Sequence, residues 1–111
     1  MGAEDDVGQK IERFSAMAQA EPENPLHHFA LAQLLVREEE WKRAAESYRH
    51  CLELNPGWMM AAIGLSRCLI EMESWDEARD SLHLGSALAT KQGHDEPFEE
   101  IRELLDRIPD L

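Results

Sequence analysis

The residues with the most chemical potential in this chain are five histidines and two cysteines: His27, His28, His50, His83, His94, Cys51 and Cys68. Zinc chemistry would need two or more of them at a ligand spacing such as C-x2-C or H-x3-H, and none is present. His27 and His28 are adjacent, so on a helix they point about 100° apart, one expected to pack and the other to face solvent. Neither a Gly-rich phosphate loop nor a nucleophile elbow occurs. Glu38–Glu40 and Glu99–Glu100 are carboxylate runs that read as solvated turns and faces rather than acid–base pairs. The expectation is therefore no catalytic residue, no metal and no cofactor. Cys51 and Cys68 have the apolar neighbours Leu52 and Leu69, and read as buried free thiols. A disulfide would need an oxidising compartment, for which nothing argues.

The balance of charge narrows the partner classes. The 111 residues carry a formal net charge of -12 at pH 7. Phosphate binding needs a basic footprint, so nucleic acid is excluded as a ligand, and an anionic membrane surface for the same reason. The acidity serves solubility, or answers a salt-rich host or a basic partner. Apolar runs stay well short of the roughly 20 residues that span a bilayer. Glu4, Asp5 and Asp6 stand where a signal peptide would be basic. The expected compartment is the cytoplasm.

These residues must be positioned by helices. Hydrophobic residues make up 43% of the chain, with few glycines, prolines and aromatics to suggest a sandwich of strands. Val7, Ile11, Phe14, Met17 and Ala18 fall on one helical face, which predicts a helix over residues 5–20. Asn24 and Pro25 supply an N-cap and a first helical residue for a second helix over 25–37. A charged turn at 38–40 leads to a third over 41–54, and Asn55-Pro56-Gly57 breaks it. The fourth is expected over 58–72. Ser74 with Glu77 three residues on reads as a capping box for the fifth, which runs to about Lys91 and ends at Gly93. Asp95 is the expected cap of a sixth over 96–108. The short connections make successive helices antiparallel neighbours.

One pattern organises these helices. Leu31, Leu35, Glu39, Trp41, Ala44, Ser47 and Leu54 recur at one constant offset as Leu65, Leu69, Glu73, Trp75, Ala78, Ser81 and Leu88. A fixed period in this range marks a stacked helical repeat. With Ala32, Tyr48, Cys51 and Pro56, the first copy resembles the tetratricopeptide repeat: leucine, a small residue, a large apolar residue, alanine, an aromatic and a proline in order. The second copy is looser. Leu82 replaces the aromatic, Gly85 the small residue, and Thr90 stands at the proline position. Phe14, Met17 and Pro22 lie one period before Tyr48, Cys51 and Pro56, so the first helix resembles the second half of a preceding repeat. Phe98, Ile101 and Leu105 match the first half of a following one, shifted by about two residues.

The resemblance implies an all-α fold, a short α-solenoid of about six helices forming one domain over residues 1–111. Residues 5–20 cap one end, 25–56 and 59–91 are the two repeats, and 95–108 cap the other end. Flanking half-units make sense, because roughly three units are usually needed to bury a continuous core.

Function also follows by resemblance. Tetratricopeptide proteins bind a protein or peptide partner along a concave face lined by the first helix of each repeat. That assigns Leu26, Phe29, Gln33 and Arg37 in the first repeat, and Met60, Ile63, Gly64 and Arg67 in the second. Phe29, Met60 and Ile63 would anchor apolar groups, Gln33, Arg37 and Arg67 would be polar handles, and Gly64 would let a ligand backbone approach. Phe29, Ile63 and Ile70 also have a reading as core under the flanking helices. Arg67 either contacts an anion or pairs with an internal glutamate. The carboxylate clamp of chaperone-binding members is not reproduced, because Phe29, Gln33 and Gly64 occupy its first three positions and Glu99 and Glu100 lie near the remaining basic ones. The alternative function is homo-oligomerisation through the sixth helix or Trp58.

Overall fold

The computed structural model describes residues 6–110. They form six helices: α1 (Val7–Ala20), α2 (Pro25–Arg37), α3 (Trp41–Leu54), α4 (Met59–Glu71), α5 (Trp75–Gln92) and α6 (Pro97–Asp106), with no strand among the described residues. Each helix packs on the next, and α6 also reaches back to α4. The fold is an all-α tetratricopeptide-type solenoid, measuring 44 × 26 × 22 Å. None of its described helices is long and apolar enough to cross a membrane.

Local chemistry sets the helix ends. Asp6 accepts a hydrogen bond from the Gly8 amide at 2.7 Å. Asn24 Oδ1 accepts from the Leu26 amide at 3.0 Å, with Pro25 at the first helical position. Gly93 closes α5 in the left-handed conformation, φ 74°. The capping box at Ser74 does not form. The Ser74 amide already donates to the Leu69 carbonyl at 2.8 Å, and Glu77 instead meets Arg49 of α3 at 3.2 Å. Asp95 does not cap α6 with its side chain either; only its carbonyl accepts, from the Phe98 amide at 3.2 Å. The helix starts one residue later than expected, at Pro97.

The two turns inside the hairpins are the same device used twice. Glu39 and Glu73 are left-handed, with φ 57° and 58°. The following amides, of Glu40 and Ser74, donate back to Leu35 and Leu69 at 2.9 and 2.8 Å. A left-handed residue followed by such a back-bond ends a helix sharply, and glycine is its usual occupant.

Alanines set the spacing of the core. Ala32, Ala44, Ala45, Ala61, Ala62 and Ala78 have no exposed surface, so helices cross closely where they meet. Leu35, Ile63, Leu69 and Leu82 fill the space between them. Burying each contributes about 1.5–3 kcal/mol relative to exposure. Trp41 and Trp75 are half-buried against this core.

Candidate functional site

One stripe of α2, at intervals of four, three and four, carries Leu26, Ala30, Gln33 and Arg37; the matching stripe of α4, one repeat further on, carries Met60, Gly64, Arg67 and Glu71. Such spacing keeps each set on one helix face. The two faces differ in what they leave open.

At the start of each stripe stand Leu26 and Met60, 65% and 45% exposed, the two most exposed large apolar side chains among the described residues. Beside them Phe29 is half-buried. Its ring stacks on Trp58 with centroids 4.4 Å apart and meets Tyr48 edge-on at 5.8 Å. Trp58, expected as a surface for self-association, is therefore half-buried and has one ring face against Phe29.

One of the expected contact residues is core. Ile63 is fully buried and lies against Gly85 of α5; Ile70 is buried as well. Phe29 and Ile63 hold the same place in the repeat, but α4 sits between α3, α5 and α6, whereas α2 has only α1 and α3 packed extensively on it. Gly64 is buried too, and its purpose is internal. A methyl group built on it would lie 2.7 Å from Tyr48 Cε1 and 2.8 Å from Tyr48 Oη. The missing side chain admits the Tyr48 ring and not a ligand backbone.

The polar handles are brought together. Gln33, Val36, Arg37, Tyr48 and Arg67 line a shallow depression of about 410 Å³. Arg67 is not free within it, because its guanidinium pairs with Glu100 of α6. Next along α4, Glu71 pairs with Arg107 at 2.8 Å. Gln33 and Arg37 also belong to an adjoining depression of about 280 Å³, whose other wall is Lys10, Arg13 and Phe14 of α1. The sequence reading did not assign Arg13 or Phe14 to this face. The available signal was the repeat register, which sets Phe14 at the Tyr48 position.

The remaining reactive residues serve the fold. Burial pushes the Cys51 thiol up to about 12 and the Cys68 thiol up to about 11, so both are neutral at pH 7 and free of disulfide. Cys51 Sγ points at the Pro25 carbonyl, 3.7 Å away. His28 is buried and donates from Nε2 to the Pro22 carbonyl at 3.0 Å, with the His50 ring 5.0 Å away. His27 is more covered than expected for a solvent-facing histidine. Its Nε2 lies 2.6 Å from Glu21 Oε1, a bond that holds Glu21 below the usual carboxylate range. Among the described residues, no group of three or more histidine, cysteine or acidic side chains is arranged to hold a metal ion.

Comparison with known proteins agrees with the fold. A family model described as anaphase-promoting complex, cyclosome, subunit 3, matches residues 5–83. No curated protein matches the chain. Among solved structures, the TPR2B domain of yeast Sti1 in its pHsp70 complex superposes with a TM-score of 0.84, over 93% of this chain and 82% of that one, at 16% identity. At that identity the likeness is one of fold.

Proposed function

The chain belongs to the family described as anaphase-promoting complex, cyclosome, subunit 3, a family of tetratricopeptide-type repeats, and on that premise we propose that it holds a peptide or helix of a partner protein on its concave face. The observation that carries the reading is the pair Leu26 and Met60. They occupy one register position in successive first helices, and no other large apolar side chains among the described residues are as exposed. Exposed apolar side chains set beside a half-buried aromatic stack are what a peptide anchor buries on binding. The solved neighbour, a tetratricopeptide domain in complex with an Hsp70-derived partner, supports a protein ligand. The same family likeness supports a binding module rather than an enzyme. The cytoplasm, where free thiols such as Cys51 and Cys68 stay reduced, is the compartment this reading takes. Residues 7–20 and 97–106 are read as the end caps of the array.

Selection from a phage-displayed library of random dodecapeptides tests the reading directly. Peptides recovered on the full chain are expected to lose most of their affinity for a Leu26→Asp/Met60→Asp variant, whose circular dichroism and melting stay unchanged because both side chains are already exposed. Recovered peptides that bind the folded double variant as well as the parent chain would sink it. The alternative is homo-oligomerisation through the sixth helix or Trp58, whose half-buried ring has one face on Phe29.

A further inference from the structure

The repeat register shows something unusual about α1. Positions 44 and 47 of α3 are Ala44 and Ser47, and the matching positions of α5 are Ala78 and Ser81. Ala44, Ser47 and Ala78 are buried and Ser81 is partly so, small residues on helices that pack against the first helix of the same hairpin. In α1 the same two positions, one period earlier, are Lys10 and Arg13. Two long cations at a close helix crossing would each have to be desolvated, so this face of α1 is built for water or an anion rather than for another helix.

Its surroundings point to the anion. Arg13 and Arg37 line the same depression of about 280 Å³, together with Gln33 and Phe14. Neither arginine has a side-chain hydrogen bond or ion pair among the described residues. Lys10 also lines the depression, already partnered. On the α4 stripe the situation is reversed: Arg67 is neutralised by Glu100 and Glu71 by Arg107. In a chain of net charge -12, one depression is thus lined by two arginines that have no ion pair among the described residues. Glu12 and Glu38, the sequence neighbours of Arg13 and Arg37, line a different depression together with Glu40 and Arg43, and carboxylates further off are screened beyond a Debye length of about 8 Å at physiological salt.

We propose that Arg13 and Arg37 form an anion subsite that takes the carboxylate side chains of an acidic stretch in the bound peptide. The proposal rests on the reading of the concave face as a peptide groove, and it adds the chemistry of the ligand. Guanidinium groups hold carboxylates in paired hydrogen bonds, and Gln33 can donate a further one from its amide. A nucleic acid would need a longer basic track than two arginines on so acidic a chain. The geometry also sets a spacing. Leu26 and Arg37 are eleven residues apart on α2, about 16 Å at 1.5 Å per residue. An extended peptide covers that distance in about five residues. The ligand should therefore carry an apolar residue about five positions from an Asp or Glu pair.

The dodecapeptide selection separates this proposal from the groove reading beneath it. The expected peptides are enriched in Asp and Glu at that spacing from an apolar residue. Their affinity for an Arg13→Gln/Arg37→Gln chain should fall roughly tenfold, a few-fold for each exposed charge contact. A Glu→Gln version of each peptide should bind both chains alike. An Arg13→Glu/Arg37→Glu chain should select Lys- and Arg-bearing peptides instead. If the peptides show no acidic enrichment, or bind the Arg13→Gln/Arg37→Gln chain undiminished, yet still depend on Leu26 and Met60, the subsite is wrong and the groove stands. If no peptide is recovered, or none depends on either pair, the groove reading fails and takes the subsite with it. Both arginines are exposed, so melting curves of the variants should match the parent.

Discussion

The ring of Tyr48 on α3 lies against the bare Cα of Gly64 on α4, closely enough that a methyl group there would sit 2.7 Å from Tyr48 Cε1. This contact joins the first hairpin to the second. Tyr48 is buried, and the Phe29 ring packs against it at an interplanar angle of 72°. A side chain at residue 64 would therefore have to displace a ring with little room to move.

Gly64→Ala should accordingly destabilise the protein, although alanine is the better helix former. Overpacking costs about 1–3 kcal/mol, and the gain in helix propensity returns about 1 kcal/mol. A net loss of up to about 2 kcal/mol is expected in urea unfolding. The test of mechanism is a double-mutant cycle. In a Tyr48→Leu background, Gly64→Ala should become neutral or stabilising, whereas an undiminished penalty would mean that the ring contact is not the cause.

Glu39 and Glu73 carry a backbone conformation that costs roughly 1–2 kcal/mol in non-glycine residues. Glu39→Gly and Glu73→Gly should each raise stability by about 0.5–1 kcal/mol, the strain relieved less the extra entropy glycine loses on folding. That is a melting shift of roughly 3–6 °C for a domain of this size. Glu39→Val should lower the melting temperature, because a β-branched residue is poorly tolerated at positive φ. Equal effects of Gly and Val at residue 39 would contradict the backbone account.

These turns show what could be read before the structure and what could not. Capping residues, prolines and glycines led to most helix ends, and the periodic echo to the hairpins, because matching residues in a repeat do matching jobs. The conformation of Glu39 and Glu73 was hidden, since glutamate carries no sign of a left-handed turn. Leu26 and Met60 share a register position, and both are exposed. Phe29 and Ile63 share one too, yet Ile63 is buried because α4 lies mid-array, and register says nothing about position in the stack. A lone glycine such as Gly64 is equally ambiguous, because a ring and a ligand backbone both need the space. The pairing of Arg67 with Glu100 depends on where α6 docks, and its two-residue shift from the repeat left that partner unnamed among the acidic residues near it. Arg13 was within reach, but only by comparing α1 with α3 position by position.

Alkaline pH should unfold the protein ahead of any other titration in the core. Burial raises Cys51 from 9.0 to about 12, Cys68 from 9.0 to about 11, and Tyr48 from 10.0 to about 12. Below about pH 9 the folded and unfolded chains both keep these protons, and the groups contribute their full stability. Above it the unfolded chain loses protons that the folded chain retains, so stability falls as pH rises towards 11–12. The urea midpoint should be flat from pH 7 to 8.5 and drop steadily above 9. At pH 8 both thiols should resist iodoacetamide in the native protein and react at once in 6 M guanidinium. Rapid native labelling of either cysteine would show that the interior is more open than its packing implies.

Glu100 is the residue on which the charge of the α4 stripe turns. Its carboxylate neutralises Arg67, and the two side chains are each about a third exposed, 35% and 37%. A pair so open to solvent is worth at most about 1 kcal/mol, so Glu100→Gln should cost little stability. Its effect on the concave face should be larger in kind. With Glu100 neutral, the Arg67 guanidinium joins Arg37 around the depression they share with Gln33 and Tyr48. Acid-bearing peptides recovered on the parent chain should then bind Glu100→Gln a few-fold more tightly, and the gain should shrink as salt is raised from about 50 to about 500 mM. The control is Glu99→Gln, which removes the same charge one residue away from an exposed carboxylate with no ion pair to Arg67. If Glu99→Gln strengthens binding as much as Glu100→Gln does, the gain comes from net charge alone, and the Arg67–Glu100 pair has no part in tuning the groove.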